Sequence, residues 1–264
     1  MTLDTAHLLA AATLGLLAGV LGGLLGIGGS VILIPGMTML VRDSNPESQH
    51  LFQAAAMFVN IAVSVPAALR HRKSGTIRGD LFRILLASAA CAIVAGVLLS
   101  NLLPGQWLRR VFAAFLVYAA LVDILRFARS QPDFPPEGAV VTVGRAAPAG
   151  VVMGLAAGLL GIGGGVIGIP LVQRLCRLPL KQCIGVSSAV MCLTAVAGAT
   201  LKTATLPGHG YSPWSAVILA AVISPTAVVG GRLGAGLTQM LPVTVVRAAL
   251  ILLLLLSAWQ MAKI

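Results

Sequence analysis

Hydrophobic positions fill the chain in ten blocks, with the polar residues gathered between them. The blocks cover residues 7–26, 29–41, 51–69, 81–103 and 107–125, then 146–162, 164–175, 183–201, 214–231 and 243–262. Each half of the chain carries five. A helix needs about 20 residues to cross the hydrocarbon of a bilayer, so the second block of each half is too short to span by itself. It is expected to pair with its predecessor as a hairpin or broken helix, hinged at Gly26-Ile27-Gly28-Gly29 and at Gly161-Ile162-Gly163-Gly164. Residues 126–145 hold Pro132, Pro135 and Pro136 among mixed charges and read as a linker. The expected organisation is a first transmembrane repeat over 1–126, a cytoplasmic linker over 127–145 and a second transmembrane repeat over 146–264.

The hinge is written twice. Residues 19–35 and 154–170 agree at twelve of seventeen positions, and each copy runs through Gly-Leu-Leu-Gly-Ile-Gly-Gly to Ile-Pro. An unwound backbone is tolerated at membrane depth only where it lines a cavity, so matched glycine breaks in two halves point to a central binding site of a secondary transporter. Five traversals per half is an odd number, which places the halves in opposite orientation. The expected fold is therefore an all-α integral membrane protein of two inverted repeats, about five helical segments each, with a glycine-broken hairpin opening each repeat.

Composition agrees. The chain is 58% hydrophobic and 9% charged, with a mean hydropathy of +0.99, against roughly 25% charged residues in a soluble domain. Eighteen Lys and Arg against seven acids give +11, but the basic residues lie between apolar blocks, where cytoplasmic loops collect them, and nucleic acid is not an expected partner. Cys91, Cys176, Cys183 and Cys192 form no CxxC pair and read as small packing residues rather than disulfides or zinc ligands. Asp4 and no Lys or Arg precede the first block, which outruns a signal-peptide core, so that segment is expected to stay in the membrane. The cluster from Arg70 to Arg78 orients the chain with that loop in the cytoplasm, together with Arg126, Arg129, Arg145, Arg174, Arg177 and Lys181. Arg109 and Arg110 then fall outside, against the rule.

The site chemistry suits an anion. Gly26, Gly28 and Gly29, and again Gly161, Gly163, Gly164 and Gly165, remove the Cβ atoms, so the backbone can leave the helix and aim N–H groups at a bound group. The helix resuming after each break, at Ser30 and at Gly165, presents N–H donors and a partial positive charge that stabilises an anion by roughly 0.3–2 kcal/mol. The competing reading makes the glycines packing faces between close helices. In the blocks after the hairpins, Asn60, Ser64, Ser187, Ser188, Thr194 and Thr200 are candidate donors, although a hydroxyl in such a helix commonly bonds back one turn. Gln53 and Gln173 are expected near loops, in a solvated or packing role. Asp123 is the one carboxylate inside a block, with Arg126 three residues on as its expected partner and a coupling-proton site as the minor alternative. His7, His50, His71 and His209 fall in or beside loops without metal-ligand spacing, so no metal and no cofactor are expected, and Lys202 is expected to snorkel to the outer interface.

The paired Gly-Leu-Leu-Gly-Ile-Gly-Gly-x-Val-Ile-x-Ile-Pro motifs, with Val186-Ser187-Ser188-Ala189 after the second, resemble the sulfite exporter TauE/SafE family of membrane permeases over essentially the whole chain. The resemblance implies a multi-pass transporter of the bacterial inner membrane for a small sulfur-containing anion of the sulfite, sulfonate, sulfoacetate or thiosulfate type, moved with the proton gradient. In that family a Thr-Ser pair commonly follows each hairpin. Here the first half reads Gln53-Ala-Ala-Ala-Met57 instead, so the site is expected to be lopsided, with Asn60 and bare backbone on one side and a bulkier organosulfur anion favoured. An anion channel and a membrane accessory protein without a transported substrate stay open as alternatives. The small-residue faces permit a homodimer. No Ser-His-Asp order, paired Asp, HExxH or phosphate loop points to an enzyme or an ATP-driven pump.

Overall fold

The computed structural model describes residues 5–41, 45–128 and 134–262, almost entirely as helix. In the first half these are α1 (Thr5–Leu25), α2 (Ser30–Val41), α3 (Ser48–Lys73), α4 (Gly79–Asn101) and α5 (Gly105–Ala128). The second half comprises α6 (Val143–Leu160), α7 (Gly165–Cys176), α8 (Leu180–Thr205), α9 (Pro213–Met240) and α10 (Val243–Ala262). Two single 3₁₀ turns, Pro136–Gly138 and Leu206–His209, complete the list. Seven of the helices are long and apolar enough to cross a membrane. As the hydrophobic pattern predicts, α2 and α7 are short, at 12 residues each. Both carry a proline at the sixth position, Pro35 and Pro170, which withholds one N–H from the ladder and frees a carbonyl one turn earlier.

The helices do not pack half by half. α1 lies along α9 and α6 along α4, while α3 and α8 run against each other through the middle, α3 also on α9 and α8 also on α4. Each opening helix thus rests on the fourth helix of the other half. Glycines at four-residue spacing make the approach close: a Cβ on Gly19 would lie 2.9 Å from the Gly231 nitrogen, and one on Gly154 would lie 2.8 Å from the Ala89 Cα. For these upstream glycines the packing reading is the correct one. α5 packs on α10 at the periphery, and the outward faces carry Leu9, Leu98, Trp214, Leu256 and Trp259, each more than half exposed, as a surface facing lipid requires.

α5 opens with the two misplaced arginines. Arg110 lies over the Trp107 ring at 5.0 Å, and Arg109 donates from Nη2 to Ser48 Oγ at 3.5 Å. A guanidinium on an indole at a helix end is an interfacial arrangement, so their position is accommodated locally.

Candidate functional site

α1 ends where Gly26 turns left-handed, at φ +66°, and Gly28 follows at +77°; α6 ends the same way at Gly161, +75°, with Gly163 at +65° and Gly164 at +74°. An L side chain rarely adopts these angles, so the breaks belong to glycine. The two breaks meet. A Cβ on Gly165 would lie 2.8 Å from the Ile27 Cα and 2.9 Å from Ser187 Oγ, and one on Gly163 would lie 3.3 Å from the Ile27 carbonyl oxygen.

Asn60 of α3 joins them. Its Oδ1 accepts from the Gly29 N–H at 2.9 Å, and its Nδ2 donates to Ser30 Oγ at 2.6 Å and reaches the Gly161 carbonyl at 3.5 Å. From the other half, Ser187 Oγ donates to the Gly26 carbonyl at 3.0 Å. Each long central helix therefore reaches the break of the opposite half. Gly26, Gly28, Gly29, Ser30, Asn60, Gly161, Gly163, Gly164, Gly165 and Ser187, read from the sequence as one group, lie together at this crossing.

Details differ from the sequence reading. The N–H of Gly29, the residue before α2, is not free, because Asn60 Oδ1 takes it, whereas no side chain caps α7. Ser188 is fully buried and its hydroxyl has no hydrogen-bond partner among the described residues. Met191, which the sequence reading passed over, seats its sulfur 2.8 Å from where a Gly28 Cβ would be and against the same point of Gly163. Thr194 and Thr200 bond back to Val190 and Val196, and Ser64 to Ile61, as hydroxyls in apolar helices commonly do.

A cavity opens beside the first break, lined by Leu25, Ile184, Ile169, Gln173, Asp123 and Arg247 among others. The expected partner of Asp123, the Arg126 side chain, lies outside the described residues; the cation that shares the cavity with Asp123 is Arg247 of α10.

A family model, that of the sulfite exporter TauE/SafE family, matches residues 11–261. The chain belongs to the TauE/SafE family. The "probable membrane transporter protein MamO" of Magnetospirillum gryphiswaldense is 30% identical over 92% of this chain and 43% of its own length. A "probable membrane transporter protein" of Haemophilus influenzae is 29% identical over 96% of this chain and 97% of its own. The chain thus spans under half the length of the MamO relatives, whose second representative, from Paramagnetospirillum magneticum, is 27% identical with 42% of its length covered. No solved structure matches. The TauE/SafE protein is a multi-pass membrane protein, and the names of its family and relatives are those of transporters rather than enzymes.

A second polar cluster in this TauE/SafE chain corrects the expectation for Lys202. Lys202 does not snorkel. It is fully buried, and its ammonium donates to His50 Nδ1 at 2.7 Å, to Asn101 Oδ1 at 2.9 Å and, at short range, to Ser100 Oγ. Three acceptors from two other helices offset a desolvation that an isolated ammonium could not bear. His50 and His71 are buried near the two ends of α3, beside the loops where they were expected, and of the two roles expected for Gln53 the packing one holds: it is fully buried and donates to the Leu159 carbonyl at 3.2 Å. Glu47 caps the cluster: Oε1 accepts from the Gly105 N–H at 3.0 Å, and Oε2 lies 3.0 Å from His209 Nδ1 and 3.3 Å from His50 Nε2.

Ligand atoms of Glu47, His50 and His209 come within 4.8 Å of one another, near enough for a metal ion. The two imidazoles, however, stack with centroids 3.6 Å apart and 11° between planes. An ion in the plane of one ring would lie out of the plane of the other, and the Lys202 ammonium stands against the second nitrogen of His50. The arrangement is a hydrogen-bond chain, not a chelate.

Proposed function

We propose that this chain is a secondary transporter that carries a small sulfur-containing anion across the inner membrane by alternating access, coupled to protons. The reading rests on one observation above the others: two left-handed glycine breaks touch at the centre of the bundle and are joined by Asn60 and Ser187, each reaching the other half. The reciprocal pairing of α1 with α9 and α6 with α4 supports two inverted repeats, a first over 1–126 and a second over 146–264, that rock about this crossing. Met191 packed between the breaks argues against an open pore.

The binding group is Gly26, Gly28, Gly29, Ser30 and Asn60 from the first half with Gly161, Gly163, Gly164, Gly165, Ser187 and Ser188 from the second. Its donors are uneven. Asn60 already occupies the end of α2, so the anion head is assigned to the uncapped end of α7 and the unpartnered Ser188 hydroxyl, leaving Asn60 and Met191 to face the remainder of an organosulfur substrate. The glycine faces that would allow a dimer are in large part used inside the chain, and the mechanism is assigned to one copy.

Uptake of radiolabelled sulfite, thiosulfate, taurine and sulfoacetate into proteoliposomes, with and without an imposed pH gradient, tests the reading. One of them should enter saturably and be driven by the gradient. Gly163→Leu should abolish uptake while the protein remains in the membrane, since its side chain would displace Met191. Entry of none of the four, or equal uptake by the Gly163→Leu protein, would sink the proposal.

A further inference from the structure

The cluster around Lys202 lies fifteen residues along α8 from Ser187, about 22 Å at 1.5 Å per residue, so it is not part of the anion site. It nonetheless connects to it. Ser100 Oγ, which accepts from Lys202, lies 3.5 Å from Gln53 Oε1. The Gln53 side chain in turn packs against the second break, where a Cβ on Gly161 would meet it at 3.1 Å. On the other side the path leads outward, from Lys202 through His50 to Glu47, whose side chain is 30% exposed.

We propose that Lys202 and His50 form the proton-binding site of this transporter, and that the Ser100–Gln53 contact carries its state to the glycine break at Gly161. The proposal rests on the transport reading above. The starting state is taken with Lys202 as an ammonium. An ammonium only donates, so His50 Nδ1 accepts from Lys202, and the ring proton is assigned to Nε2, facing the Leu103 carbonyl at 3.1 Å and Glu47 Oε2. Release is a relay. Lys202 gives a proton to His50 Nδ1, His50 gives its Nε2 proton to Glu47 Oε2, and Glu47 passes it to water; the histidine ends neutral with its tautomer reversed and Lys202 ends as an amine.

The amine differs from the ammonium in its charge. With its tautomer reversed, His50 donates Nδ1–H into the single amine lone pair, and the two N–H groups that remain still serve Ser100 and Asn101, now as neutral hydrogen bonds about half as strong as charge-assisted ones. With the ammonium in place the strong Lys202–Ser100 bond fixes the hydroxyl that touches Gln53, whose amide also donates to the Leu159 carbonyl; with the amine that hold on Gln53 loosens. That is a two-state element biased by a proton, which is what coupling between distant sites requires. The other ionisable groups facing the cluster are Glu47 at the start of α3, His209 in the turn after α8 and Arg109 of α5. Ser100 and Asn101 are all that α4 contributes, and neither titrates.

The test does not need a known substrate. Spin labels at Leu102→Cys, which is 78% exposed, and Gly208→Cys, where a side chain meets nothing within 4 Å, flank the cluster just past the end of α4 and in the turn after α8. The full chain, with its four native cysteines replaced by alanine, is measured at about pH 6 and about pH 9. The label distance should shift by roughly 2–5 Å, the scale of helix displacements in such closures. Lys202→Met should lose the shift. His50→Gln, whose carboxamide oxygen still accepts from Lys202 but passes no proton on, is the second variant and should lose it too. No shift in the parent chain, or an unchanged shift in either folded variant, would overturn the proposal. A parallel assay uses pyranine-filled proteoliposomes and whichever of the four anions is taken up: both variants should keep anion counterflow and lose substrate-linked acidification. Acidification that persists would overturn the proposal. Should no anion enter, the transport reading fails by itself and the label measurement still decides this one.

Discussion

Replacing Asn60 separates a structural role at the crossing from a role toward the anion. Asn60→Ala strands the buried Gly29 N–H, for which the described residues offer no other partner, and removes the weaker contact to the Gly161 carbonyl at 3.5 Å. A buried polar group left unpaired costs about 1–3 kcal/mol. The Gly29 amide should bear that cost in full and the long Gly161 contact only part of it, while Ser30 can turn its hydroxyl elsewhere. The sum is about 2–4 kcal/mol. For a chain of this size each kcal/mol moves the melting point by about 2–4 °C, so thermal unfolding in detergent should fall by roughly 5–15 °C. Asn60→Asp behaves differently. The carboxylate still accepts from Gly29, so stability should lie between that of Asn60→Ala and the parent, but the charge sits at the crossing and should repel an anion until transport is lost. A melting point for Asn60→Ala within about 2 °C of the parent would show that Asn60 does not hold the Gly29 N–H. Full transport by a folded Asn60→Asp protein would refute the anion assignment.

Ser188→Ala removes a buried hydroxyl that satisfies nothing, so stability should change by less than about 0.5 kcal/mol or improve, while the KM for the transported anion rises several-fold; an unchanged KM would take Ser188 out of the site. Asp123→Asn and Arg247→Gln should each lower the melting point, and the double variant should lose less than the two together, because the two oppositely charged side chains line one cavity. Strict additivity in that cycle would show that they do not interact.

The breaks were legible because what they require is local. A left-handed residue at Gly28 or Gly163 demands glycine whatever surrounds it, and the short α2 and α7 follow from counting residues against a bilayer. Asn60 could be picked out because an idle carboxamide in an apolar helix is costly. The partners of Lys202 could not. A lysine near the end of an apolar helix reads as an interfacial anchor, and what holds it inside is a set of acceptors about 100 and 150 residues away, His50, Ser100 and Asn101. The neighbour of Gln53 is hidden for the same reason, since its place against Gly161 comes from the packing of α3 on the other half. The exchange of α1 onto α9 and α6 onto α4 is equally invisible in one sequence, because glycines four apart announce a close neighbour without saying which.

An inverted repeat presents the same scaffold to both sides of the membrane, so coupling to a one-way proton gradient must come from places where the halves differ. α3 and α8 have 26 residues each, and aligning them end to end sets His50 against Gln182 and Lys202 against Arg70. Arg70 is exposed and Lys202 buried. One end of the proposed rocking unit therefore holds a buried group that can lose a proton, and the corresponding end holds a guanidinium in water that cannot. Lys202→Arg makes the two ends alike. An arginine keeps its charge at any working pH, so the variant should hold the closure in its protonated arrangement: the Leu102–Gly208 label distance should stay at its low-pH value across the range, and gradient-driven uptake should fall to the level seen without a gradient. A Lys202→Arg protein that still responds to pH would place the proton elsewhere, with His50, Glu47 and His209 the ionisable groups left at that end.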